Sequence, residues 1–116
     1  MPHFILEHDA QLSDHVPMNT LMDSVFDSAV ETELFGRKDI KIRTSPSPYS
    51  RLGSGHQHFL HITGLIISGR TLEQKKALAQ TVVENLKKSL DISIVISCDI
   101  KDLEKDIYSK TALTLP

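Results

Sequence analysis

Apolar and polar residues alternate from the start of the chain. Over Pro2–His8, Phe4 and Leu6 face one way and His3, Ile5 and Glu7 the other. That period of two predicts a strand. Proline is tolerated at its head, where the first residue need not donate to the ladder. The period then changes. Met18, Leu21, Met22, Val25, Phe26 and Ala29 recur at three- and four-residue spacing, which predicts an amphipathic helix starting near Val16–Pro17. Asp39–Ser45 alternates again, with Ile40 and Ile42 on one side and Lys41 and Arg43 on the other, and reads as a second strand.

Prolines, glycines and serines punctuate Ser45–Gly55, which is expected to be a loop. The β-branched, apolar run His58–Ser68 then predicts a central strand. A helix follows, opened by Thr71 and Gln74 as a capping box and carrying Leu78, Val82, Leu86 and Leu90 up one face. Lys87 and Lys88 near its last turn suit the helix dipole. Ile92–Ile100 reads as a fourth strand. The tail, residues 101–116, is polar with scattered apolar residues and is expected either to wrap onto a neighbour or to stay loosely ordered.

The order is β-α-β, loop, β-α-β, in one domain with halves at about 2–44 and 58–100. Right-handed βαβ units pair their strands in parallel. A ferredoxin-like sandwich fits the same string, so periodicity leaves both topologies open.

Composition narrows the function classes. At 116 residues and 40% hydrophobic, the chain suits one folded domain. Its formal net charge of -2 and lack of a basic run argue against nucleic-acid binding. No apolar stretch reaches membrane-spanning length, and the start lacks a secretory signal pattern. The lone Cys98 has no intramolecular disulfide partner, which suits a reducing cytoplasm, and its apolar strand makes it a core residue.

Four residues carry candidate chemistry. If Met1 is removed, Pro2 becomes the terminus and its ring nitrogen a free secondary amine. An α-amine titrates at about 7.7–8.0, and both desolvation and nearby cations favour its neutral, basic form. Position two alone also fits a plain strand cap. Arg70 stands between a strand end and a capped helix start, a place suited to a bidentate carboxylate contact or to simple solvation. Lys41 and Arg43 share a strand face and would repel unless an anion lay between them. His56, His58 and His61 do not converge from one strand, so polar pairing or an interface role is expected rather than a metal. No phosphate loop or nucleophile triad pattern is found.

The opening Pro-His-Phe-Ile, the doubled β-α-β order and Phe59–Gln74, with Ser-Gly-Arg-Thr entering the second helix, resemble the tautomerase superfamily. Within it the chain is most similar to the 5-carboxymethyl-2-hydroxymuconate isomerase family, from Pro2 to about Lys110. The resemblance implies an α+β fold in which two βαβ units form a four-stranded sheet with two helices on one face. It implies a barrel-like homotrimer without a cofactor. It also implies an enzyme of aromatic catabolism, in which Pro2 shuttles a proton on a small unsaturated 2-hydroxy or 2-oxo dicarboxylate and Arg70 binds a carboxylate or polarises the enolate. Lys41 stands where that family has arginine, and Arg43 matches a second basic residue. Lysine keeps the charge but lacks the planar two-pronged grip. The loop at residues 45–55 also departs from the family pattern. The alternatives are a non-catalytic binding protein of the same fold and a ferredoxin-like ligand-binding module.

Overall fold

The computed structural model describes residues 1–116. Its strands are β1 (His3–Asp9), β2 (Lys41–Ser47), β3 (Phe59–Ile67) and β4 (Val95–Leu103), and its helices are α1 (Met18–Glu31) and α2 (Leu72–Lys88). The sheet order is β2-β1-β3-β4. β1 and β2 run parallel, as do β3 and β4, and the central β1–β3 pair is antiparallel. Each helix therefore crosses between neighbouring strands, which separates this fold from the split, interleaved ferredoxin-like order.

The expected strand faces hold. Phe4 and Leu6 of β1 and Leu60, Ile62 and Ile66 of β3 are fully buried. They meet Leu21, Val25 and Ala29 of α1 and Leu78, Val82 and Leu86 of α2, so both helices cover one face. Thr71 and Gln74 close the capping box: Gln74 N–H donates to Thr71 Oγ1 at 3.1 Å and Thr71 N–H to Gln74 Oε1 at 2.8 Å. Gly64 lies in that core, where an added Cβ would stand 2.7 Å from Ile100 Cδ1 and 3.0 Å from the Phe4 ring.

Several boundaries differ from expectation. β2 continues to Ser47 and includes Pro46, acceptable because β2 is an edge strand and the missing donor need not face a partner. β4 starts later and ends later than its apolar run, because its extent follows β3 from Phe59↔Val95 to Ile67↔Leu103. Beyond it the chain folds back onto itself through a 3-10 turn, Lys105–Ile107, and reaches the head of β1.

The two halves start alike. Lys41 N–H donates to Pro2 O at 3.0 Å, and Val95 N–H donates to His58 O at 3.1 Å. The head of β3 is closed by Asp9, which is 1% exposed. Its carboxylate accepts from Phe59 N–H at 2.9 Å and from His58 Nδ1–H at 2.8 Å. No helix is long and apolar enough to cross a membrane.

Candidate active site

The head of β1 is where the sequence candidates gather. Pro2 is buried. The register His3↔Lys41 and Ile5↔Arg43 puts both β2 cations on the face of His3, opposite the helices. The amine of Met1 donates to Asp39 O at 2.8 Å, and Lys41 Nζ donates to the same carbonyl at 3.2 Å. The terminal amine is held below its ordinary value, first by desolvation and then by Lys41, against a smaller opposing pull from Asp39. With Met1 in place, the Pro2 nitrogen is a tertiary amide and has no basic lone pair.

Arg43 Nη1–H donates to His3 Nδ1 at 3.3 Å. Burial, then Arg43 and Lys41, hold the His3 pKa below its usual value, so the ring stays neutral. Arg70 is placed differently. Gly69, at φ 124°, turns the chain out of β3. The guanidinium then donates to Leu34 O at 2.6 Å and lies 5.4 Å over the Phe35 ring. Phe35 packs edge-on against Phe4, with centroids 6.4 Å apart. Arg70 thus stands at the same end of the sheet, anchored to the segment after α1 rather than to the amine.

Four residues at this corner were not among the sequence candidates. Asp39 pairs with Lys110 at 3.3 Å, and that hydrogen bond is the chief reason its carboxyl is held below the usual range. His3 Nε2–H donates to the Tyr108 hydroxyl at 3.1 Å. His3 was signalled only by its place beside Pro2, whereas nothing local indicates where Tyr108 and Lys110 land.

The histidines do pair rather than cluster: His58 with Asp9, His61 Nδ1 with Ser97 Oγ at 2.7 Å, and His56 Nδ1 with Ser54 Oγ at 2.8 Å. Cys98 faces the core side, and burial pushes its thiol up to about 12. An open concavity of about 530 Å³ lies at the far end of the sheet, lined by Ser54, His56, His58, Ile92 and Ser93 among others. Pro2, Lys41, Arg43 and Arg70 line no concavity of the single chain.

The sequence profile of the 5-carboxymethyl-2-hydroxymuconate isomerase family matches residues 2–112. The chain belongs to that family. Solved structures agree on the fold of this isomerase family member. A 5-carboxymethyl-2-hydroxymuconate isomerase from Deinococcus radiodurans R1 superposes with a TM-score of 0.80 at 20% identity, covering 95% of this chain and 88% of the other. A 5-carboxymethyl-2-hydroxymuconate delta-isomerase gives 0.73 at 13% identity, covering 97% and 88%. A fused 4-OT, described as a wild-type asymmetric trimer, gives 0.74 at 21% identity, covering 97% and 94%. No curated protein matches.

Proposed function

We propose that the chain, once Met1 is removed, isomerises a small unsaturated 2-hydroxy or 2-oxo dicarboxylate resembling 5-carboxymethyl-2-hydroxymuconate, with the Pro2 nitrogen as base. The observation that carries this reading is the state of the amino-terminal corner. The Met1 amine there is partly desolvated beside Lys41, and the Pro2 nitrogen, one residue inward, meets surroundings of the same kind, which favour a neutral base. The Pro2 nitrogen takes the proton of the 2-hydroxyl, the O–H electron pair closes a carbonyl, and the double bonds shift along the chain. The prolinium returns the proton to carbon and the amine is regenerated. Negative charge passes through oxygen, so Lys41 and Arg43 stabilise it while they disfavour the cationic prolinium and keep the amine neutral. Arg70 has one N–H committed to Leu34 O and offers its remaining donors to a substrate carboxylate.

The working unit in this proposal is a homotrimer. Ile5, Phe59, Leu65 and Ile67 lie on the sheet face that no helix covers and are half-buried in the single chain. A second copy on that face would also wall in an amine corner that one chain leaves open. The setting is cytoplasmic aromatic catabolism, consistent with a free cysteine.

Intact mass and turnover test the base directly. The Met-free protein should ketonise 2-hydroxymuconate. Pro2→Ala and a form with retained Met1 should be slower by roughly 10²–10⁴-fold, the usual worth of a positioned base. Equal rates for the Met-retaining and processed forms would sink the reading.

A further inference from the structure

Tyr108 and Lys110 both land on neighbours of the amino-terminal position. Tyr108 meets His3, the residue after Pro2. Lys110 meets the carboxylate of Asp39, whose carbonyl holds the terminal amine. The segment after β4 is therefore part of the same corner.

The direction of each hydrogen bond here follows from one fact: a guanidinium only donates. Arg43 Nη1 gives its hydrogen to His3 Nδ1, so that nitrogen carries a lone pair. A neutral imidazole has one N–H, which must then sit on Nε2. His3 Nε2 donates, and the Tyr108 oxygen accepts. The phenolic hydrogen is thereby turned away from His3, and it meets no acceptor in the chain. A hydroxyl that already accepts a hydrogen bond is polarised into a better donor. The depressed pKa of His3 supports this arrangement, since a protonated ring would have no lone pair for Arg43.

A substrate at this corner presents carboxylates and a developing enolate, all oxygen acceptors. A further cation would stabilise them but would also depress the basicity of the amine. A neutral hydroxyl stabilises the oxygen at little cost to the base. We infer that Tyr108 is a substrate-contacting residue, its hydroxyl donating to a carboxylate or enolate oxygen of an acid bound at Pro2, with His3 as the positioning residue that fixes the direction of that bond. This deepens, and rests on, the reading of Pro2 as base.

Tyr108→Phe in the Met-free protein removes the donor and keeps the ring, which packs edge-on against His3 with centroids 6.2 Å apart. The expected result is a fall in kcat/KM for 2-hydroxymuconate of roughly 10–100-fold, at or below the usual loss for one oxyanion donor, with an unchanged thermal midpoint. His3→Gln keeps a donor toward Tyr108 and should retain more activity than His3→Leu; equal activity in the two removes the positioning role. Full turnover by wild type with Tyr108→Phe within twofold overturns the inference and leaves Pro2 standing. Absence of turnover by Met-free wild type overturns the Pro2 reading instead. Calorimetric titration with cis,cis-muconate then decides Tyr108 alone. Binding weakened roughly 5–10-fold in Tyr108→Phe supports the contact, whereas equal affinity, or no binding by wild type, overturns it.

Discussion

His3 and Asp39 receive the two landings of the C-terminal segment, and both have their pKa lowered by folding. For His3 the lowering favours the neutral ring. Its contribution is complete above the ordinary histidine value, about 6.5, and is lost as pH falls through the lower folded value. For Asp39 the contribution is present above the ordinary carboxylate value, about 3.9, and is lost as pH falls through its depressed value. Acid should thus free Arg43 from His3 first and Lys110 from Asp39 later, while the imidazolium keeps its Nε2–H for Tyr108. Amide hydrogen exchange over residues 105–110, corrected for intrinsic rates, should stay slow as His3 protonates and speed up only as Asp39 takes up its proton. Faster exchange that sets in with His3 protonation would show that Nε2 is not the donor to Tyr108. Pro2, Lys41 and Arg43 were legible because strand alternation alone places them. Arg70 was legible as a cation at a strand-to-helix turn, but its bond to Leu34 O depends on how the segment after α1 folds back. Tyr108 was not legible, since its position follows from the path of a polar tail.

Among the elements, β3 meets a close approach at one residue. Its Gly64 leaves room for the Phe4 ring and Ile100, and Phe4 in turn packs against Phe35 beneath Arg70. Gly64→Ala forces a methyl into that contact and should destabilise the fold by roughly 1–3 kcal/mol, measured as a lowered urea midpoint at unchanged slope. An unchanged midpoint would mean that the Phe4 ring and Ile100 shift freely. The periodicity identified all four strands and both α-helices but none of the short 3-10 turns, and the capping box located the start of α2. Strand ends were less legible. β4 takes its length from pairing with β3, and β2 carries Pro46 because an edge position permits it. Those are properties of neighbours, which a local pattern does not record.

At the scale of the whole molecule, the sheet has one face under helices and one exposing Ile5, Phe59, Leu65 and Ile67 in part. Light scattering should give three chain masses in solution. Leu65→Glu, which places a charge on that face, should shift the protein toward monomer and reduce turnover with it. A wild-type monomer with full activity would defeat the trimer proposal. The parallel pairing within each half followed from the β-α-β order and the handedness of crossovers, but that order left two topologies open. The antiparallel junction of the halves, which excludes the ferredoxin-like order, needed the structure.

The matching backbone bonds at the heads of β1 and β3 relate the halves by an approximate two-fold axis, under which His58 is the counterpart of Pro2. The symmetry is broken by covalent connectivity. Residue 58 is joined to a preceding residue and has no free amine to offer. Its corner is instead closed by the Asp9 carboxylate, which takes up the Phe59 N–H and the His58 ring. The proposed amine chemistry therefore has one seat per subunit, and a reagent that captures the terminus of Met-free protein should label each subunit once, not twice.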